Sequence, residues 1–370
     1  MYKNNNMKPE FLQDTRNGKD NKWKERHLVK NDLAYSYKRI GSNKYYRVKD
    51  CSTFLEFRRY VDNEIKLNRA NFCKIPLCPM CSWRRSMKIF GQMSKVMNYA
   101  EKNYNYKYIF LTLTVKNCYG EDLRDTLNLM TDSFGKLYRR KAFKQAVKGY
   151  FRSLEITYDS NEFITRDMYY GNHKKRIKSR KQYYDKRGLQ VGDKNPNFNT
   201  YHPHFHIILA VNNSYFNDPK YYLSQEKWTS LWQSCLKVDY LPMVDVRVID
   251  ERLDKEVEKA VAETAKYAVK EDDFLIKDKH GNINIPLTDE VVKTLDHALH
   301  RKRLVSFGFE FKKIHKKLNL DDPEDGELND CDIEDGLRKD IAYVLERYQW
   351  NIGYKNYILV EVAEPEEGDN

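Results

Sequence analysis

Residues 201–211 read Tyr-His-Pro-His-Phe-His-Ile-Ile-Leu-Ala-Val, three histidines leading straight into an apolar run. This stretch constrains the fold more than any other, because the run reads as a strand and strand alternation fixes where the imidazoles point. Side chains two apart share a face, so His204 and His206 lie together and Phe205 points the other way, into the core. Two imidazoles on one face can grip one divalent ion, and nitrogen donors suit manganese, zinc or similar metals. A buried strand with incidental histidines is the plainer alternative. Against it, three of the chain's nine histidines fall within five residues.

A second cluster lies upstream. Cys73, Cys78 and Cys81 are spaced C-x4-C-x2-C, and a two-residue gap lets both sulfurs turn onto one tetrahedral metal. A fourth ligand is needed; Cys51 is the first candidate and His27 the second. Four sulfurs would close the site and make it a structural zinc centre. Seven unevenly spaced cysteines favour metal binding over a disulfide framework, as expected of a cytoplasmic chain. No apolar run is long enough to span a bilayer, and residues 1–30 lack the apolar core of a signal peptide.

The net charge of +12 hides an asymmetry. Residues 321–370 hold 16 acidic and 4 basic side chains, so residues 1–320 carry 62 basic against 38 acidic, a net of +24. A body this basic, with tyrosines among its lysines and arginines, has the electrostatic and stacking character of a nucleic-acid binder.

In chain order, residues 1–22 read as a polar, flexible arm. Residues 23–102 form an N-terminal segment with a strand-like Tyr45–Val48, the cysteine knuckle and a helix over 82–102. That helix opens on Trp83-Arg84-Arg85, candidate DNA contacts. Residues 103–275 read as one unit, the candidate catalytic one: a strand at 106–117, a helix at 121–148, a strand at 149–158, the histidine strand, a helix near 225–236, a strand at 243–249 and a helix over about 254–270. Glu155 sits among apolar residues, a costly place for a lone acid unless it is paired or liganding, and is the candidate third ligand. A solvent-facing position is the alternative. A basic insertion at 160–200, with Lys174, Lys175 and Arg176, is expected to touch DNA backbone or to be mobile until it does. Residues 276–370 form an extension with a helix at 288–300, a strand at 304–311, an acidic loop at 321–335 and an aromatic stretch at 338–360 that packs back on the body.

The helix over 254–270 places Val257, Val261, Thr264, Ala265 and Ala268 on one face and Glu263 and Tyr267 on the other, with Lys259, Lys266 and Lys270 around them. A tyrosine with a carboxylate one turn away and ammoniums beside it has the parts for attack on a phosphate, and Lys266 is placed to contact DNA. An ordinary amphipathic helix with a surface tyrosine is the competing reading.

Taken together, three elements resemble the rolling-circle replication initiators of small Gram-positive plasmids, the Rep_1 group within the HUH endonucleases. They are Phe110-Leu111-Thr112-Leu113-Thr114, His204-Phe205-His206 and Ala262-Glu263-Thr264-Ala265-Lys266-Tyr267-Ala268-Val269-Lys270, in that order; the knuckle followed by Trp-Arg-Arg is also typical of the group. The resemblance runs from about Val48 to Tyr357. It implies an α+β fold whose central antiparallel sheet, flanked by helices, carries the metal histidines, with Tyr267 as nucleophile. It implies His204 and His206 as ligands to Mn2+ or Mg2+, and Glu263 and Lys270 at the family's glutamate and lysine positions. His202 becomes a further ligand or a phosphate contact. Origin DNA, as single-stranded hairpin and flanking duplex, is the implied partner, and a host helicase and replication machinery follow by resemblance only. A relaxase or transposase would share this chemistry. A zinc-dependent DNA-binding regulator without catalysis would explain the basic body and the knuckle, but not the histidine strand.

Overall fold

The computed structural model describes residues 8–16, 19–171, 178–249, 254–266, 268–278, 280–329, 331 and 342–364. The chain opens with two short paired strands, β1 (Thr15–Arg16) and β2 (Lys19–Asp20), then helices α1 (Trp23–Arg39) and α2 (Lys44–Asp50). The hairpin β3 (Phe54–Tyr60) and β4 (Ile65–Ala70) follows, and helix α3 (Pro79–Asn103) leads to β5 (Tyr106–Thr114). Helices α4 (Leu123–Leu137) and α5 (Lys141–Ala146) precede β6 (Val147–Asp159). Helices α6 (Arg166–Tyr170) and α7 (Lys178–Asp185) lie before β7 (Thr200–Asn212). Then come α8 (Gln225–Leu236), β8 (Val244–Ile249), α9 (Asp254–Ala265), α10 (Ile285–Leu299), β9 (Val305–Phe309) and α11 (Glu310–Lys317). The hairpin β10 (Tyr343–Asn351) and β11 (Asn356–Ala363) closes the described chain.

Five strands form an antiparallel sheet in the order β8-β5-β7-β6-β9, so the histidine strand β7 sits at its centre. Its run Ile207–Val211 is fully buried, as a central strand covered on both faces must be. On one face Phe205 meets the rings of Phe134 on α4 and Trp232 on α8, at centroid distances of 5.8 and 6.4 Å. The opposite face carries the alternate residues, the histidines among them, beneath α9, whose Val261, Thr264 and Ala265 are buried. The expected mixed α+β class with an antiparallel sheet flanked by helices is therefore observed.

A second sheet, ordered β11-β10-β3-β4, joins strands from near both ends of the described chain. β10 pairs antiparallel with β3, and Arg347 on β10 binds Glu56 on β3 at 2.7 Å. Residues 54–70 and 343–363, assigned to separate segments on sequence grounds, thus share one sheet.

Several boundaries differ from expectation. Tyr45–Val48 is helical, within α2, because it packs as a short turn against α1 and not as an edge of a sheet. The helix expected over 121–148 breaks at Tyr138–Arg140, where Arg140 turns extended, and its last residues begin β6. The strand expected over 304–311 yields to α11 at Glu310, whose Phe311 and Ile314 are buried. The helix expected to reach residue 270 ends at Ala265; beyond it the carbonyl of Ala268 accepts the Ile156 N–H of β6 at 2.7 Å, so the chain there is held to the sheet instead of continuing to coil.

The acidic loop crosses α3. Lys88 binds Asp321 at 2.6 Å and the Glu327 carbonyl at 3.0 Å, and Gln92 donates to the Asp321 carbonyl at 2.7 Å. Arg84 donates to the carbonyls of Leu328 and Asn329 at 2.9 and 2.6 Å, and Arg85 to that of Glu324 at 3.1 Å. Arg84 and Arg85 are 1% and 3% exposed. Their expected role as DNA contacts is corrected: these guanidiniums are sealed beneath the loop and hold it to the helix.

A buried polar chain links α1 to the second sheet. The Lys30 ammonium donates to His27 Nε2 at 3.1 Å, His27 Nδ1 meets the Tyr357 hydroxyl at 2.7 Å, and that hydroxyl donates to the Ser52 carbonyl at 2.8 Å. Burial, and then the neighbouring ammonium, lower the His27 pKa to about 2. Unfolded histidine titrates near 6.5. The folded chain therefore gains full stability from neutral His27 above pH 6.5 and loses about 1.4 kcal/mol per pH unit below it, as the unfolded state takes up a proton the folded state refuses. In urea titrations between pH 7 and pH 5, His27→Gln should lose less stability than the parent; parallel losses would rule this linkage out.

Candidate metal centres

Glu155, His204 and His206 come together on the histidine face of the five-stranded sheet. Antiparallel register puts Glu155 directly opposite His204 and Ser153 opposite His206. His206 Nε2 lies 2.9 Å and His204 Nε2 3.5 Å from the same Glu155 oxygen, and all three ligand atoms lie within 4.8 Å of one another. The outer ring nitrogens are held: His204 Nδ1 donates to the His202 carbonyl at 3.1 Å, and His206 Nδ1 faces the Thr112 hydroxyl at 3.4 Å. Fixing Nδ1 leaves Nε2 as the donor to a metal.

Glu155 is 3% exposed. Burial alone would raise its pKa, but the facing imidazoles of His204 and His206 and the Lys270 ammonium outweigh it and hold the carboxyl well below the usual range. Lys270 Nζ pairs with the other Glu155 oxygen, so this lysine positions a ligand from outside the ligand group. Glu263 on α9 comes within 3.9 Å of His206 Nε2 and pairs with Lys266, and both side chains are roughly two-fifths exposed. His202 stacks beside His204, ring centroids 5.3 Å apart, and lies next to the ligand group, not in it. Burial, then the neighbouring His204, lower its pKa to about 4, so it is neutral at pH 7. Tyr267 lies outside the described residues, as do Lys174, Lys175 and Arg176. The described remainder of the insertion has a small core of its own, with Tyr169 stacked on Tyr184 at 5.5 Å.

The signal for Glu155 was a carboxylate in an apolar strand. A groove of about 330 Å3 beside His206, lined by Phe110, Arg247, Lys259 and Glu263, had no such signal, because it forms where β8 and α9 meet.

The second group is Cys51, Cys73, Cys78 and Cys81, all buried. Sulfur separations are 3.7 Å for Cys51–Cys81 and Cys73–Cys81, and 3.6 Å for Cys78–Cys51. Four thiolates about 2.3 Å from a tetrahedral zinc lie about 3.8 Å from one another, so the donor set fits that ion. The N–H groups of Cys73 and Lys74 donate to Cys51 and Cys81 sulfurs at 3.4 and 3.3 Å. Hydrogen bonds from the other three thiols drive the Cys73 pKa down, while the hydrogen bond with Cys73 raises Cys51 and burial raises Cys78. Cys51 thus occupies the fourth place. His27 is committed instead to Tyr357 and Lys30, with its ring stacked on Trp350 at 3.8 Å.

The fold and its groups define a mixed α+β protein with a carboxylate–bis-histidine group at the centre of one sheet and a four-cysteine group beside another. Comparison with known proteins agrees on where such a chain belongs. The family described as Replication protein, Rep_1, matches residues 64–358. A protein rep of Bacillus amyloliquefaciens is 35% identical over 97% of this chain and the whole of that relative. A protein rep of Streptococcus pneumoniae serotype 2 is 35% identical over 97% of this chain and 98% of the relative, and one from a Bacillus species is 36% identical over 84% and 91%. No solved structure matches the chain. The chain belongs to the Rep_1 family of replication proteins. No helix among the described residues is long and apolar enough to cross a membrane.

Proposed function

We propose that this protein initiates rolling-circle replication of a plasmid, by an HUH-type fold that nicks one strand at the origin through Tyr267. The observation that carries this reading is the meeting of Glu155, His204 and His206 with Glu263 and Lys270 in a member of a replication-protein family. Glu263 and Lys270 flank Tyr267 in sequence, and both reach the histidine face.

A divalent ion held by Glu155, His204 and His206 would polarise the scissile phosphate as a Lewis acid. Free tyrosine, with a pKa of about 10, is a weak nucleophile at neutral pH, so its proton must leave as its oxygen approaches phosphorus. The new Tyr267 O–P bond forms as the bond from phosphorus to the 3′ oxygen breaks. That oxygen takes up a proton to become the 3′-OH primer, and the 5′ phosphate stays on the tyrosine. For termination, Glu263 accepts a proton from water as the water oxygen bonds to phosphorus at the regenerated site and the bond to the 3′ oxygen breaks, that oxygen leaving as a 3′-OH, so a second cleavage needs no second tyrosine. Lys270 fixes Glu155 in place throughout. The strand must be single, as in an extruded hairpin, for the phosphate to reach the sheet.

The test is a labelled single-stranded hairpin from the cognate origin, incubated with and without manganese. Metal-dependent cutting with a protein adduct is expected. Glu155→Ala should raise the manganese concentration for half-maximal cutting by at least about 100-fold, since loss of a partner behind a ligand already costs about 10–100-fold in metal affinity. Binding without cutting under any metal would move the assignment to a DNA-binding regulator.

A further inference from the structure

A groove of about 540 Å3 opens between α1, α2 and the β10–β11 turn, and it shares no lining residue with the histidine group. Its walls are aromatic. Tyr35, Tyr45 and Tyr46 follow one another along it as tilted rings, with centroids 6.5 Å apart and planes at 39° for the first pair and 5.0 Å and 60° for the second, and Trp350 lies on the far side. Tyr46 is 74% exposed and Tyr35 45%, unusual for rings that could be buried. Cations sit among them: Lys49 Nζ is 5.1 Å from the Tyr35 centroid and 5.7 Å from that of Tyr45, and Lys355 is on the rim. The lining carboxylate, Asp50, already accepts from Asn71 and Thr53.

We propose that this groove binds single-stranded DNA, with bases stacked on Tyr35, Tyr45, Tyr46 and Trp350 and phosphates on Lys49 and Lys355. Every base has a π-face, so a row of separately tilted, exposed tyrosines takes single strands with little regard to sequence, and a duplex cannot offer its bases to it. The lysines set the sign of the ligand's charge. A proline-rich peptide would also suit aromatic walls, but it supplies no anion for the two ammoniums. The choice of DNA rests on the replication reading; the stacking chemistry does not.

The test uses the full chain and an oligothymidylate too short to form a hairpin, followed by fluorescence anisotropy. Tyr46→Ala, at a site too exposed to threaten folding, should weaken binding about tenfold, and Tyr46→Phe should restore it, because stacking needs the ring and not the hydroxyl. Lys49→Gln combined with Lys355→Gln should flatten the salt dependence of binding, by a slope of about 0.7 per lost phosphate contact. A duplex of the same length should bind the parent and Tyr46→Ala alike. If the parent cuts the origin hairpin and Tyr46→Ala binds the oligothymidylate unchanged, the groove proposal falls while the initiator reading stands. If nothing is cut under any metal and Tyr46→Ala still weakens binding, the initiator reading falls and the groove stands. Displacement of the oligothymidylate by a proline-rich peptide, with no effect of the lysine changes, also overturns the proposal.

Discussion

Replacing Tyr267 by phenylalanine should abolish strand cutting, by at least about four orders of magnitude, and leave no protein–DNA adduct. Loss of an activated nucleophile removes the covalent route outright, and water without it faces the full uncatalysed barrier. Binding to the origin should stay within about fivefold of the parent, because one hydroxyl contributes on the order of 1 kcal/mol or less to a contact surface dominated by phosphates. The measurement is a denaturing gel of labelled hairpin with manganese, beside an anisotropy titration of the same DNA. A residual adduct on Tyr267→Phe would assign the attack to another residue. Glu263→Ala should still nick once and accumulate the adduct, since its proposed work comes at the second cleavage.

The second large effect is at the cysteines. Cys78→Ser should release one zinc per chain and unfold the surrounding module. Structural zinc contributes roughly 10–16 kcal/mol of apparent binding energy at pH 7, as much as or more than the roughly 5–15 kcal/mol net stability of a whole domain. Cys78 caps the N-terminus of α3, and Cys51 and Cys73 border α2 and the β3–β4 hairpin, so the loss should spread to all of these elements. Metal analysis and thermal melting monitored by circular dichroism would check it, with the half-buried Cys118→Ser as control. An unchanged melting temperature in metal-free Cys78→Ser would mean that the four thiols pack without need of an ion.

What the sequence made legible follows from how local each signal is. Strand alternation is local, and it placed His204, His206 and Phe205 on their correct faces. The pattern around α8 and the knuckle spacing are local too. Glu155 was visible because an acid in an apolar strand needs a reason, which a cross-strand register then supplied. The opening helix α1 was not, because the residues it buries include His27, Lys30 and Ser36, and polar residues on the inward face blur an apolar period. Arg84 and Arg85 resembled a surface cluster in a basic stretch. What buries them is a loop some 240 positions later in the chain, which no window around the arginines contains.

The sheet that unites β3 with β10 also sets an order of events during synthesis. Arg59 and Glu346, paired across that sheet, are 287 positions apart. While the ribosome is still making the intervening chain, β3 waits with one edge open and Tyr357 is missing from its place beside His27. Cys51, Cys73, Cys78, Cys81, Glu155 and the histidine strand all precede that hairpin by more than 100 positions, so the four-thiol and the carboxylate–bis-histidine groups can assemble on a molecule whose flank is unfinished. Pairings this distant close slowly, and an open edge invites other chains. The nascent chain thus passes through an interval in which its chemistry is assembled before its shape is sealed, and the arrival of the β10–β11 hairpin ends that interval.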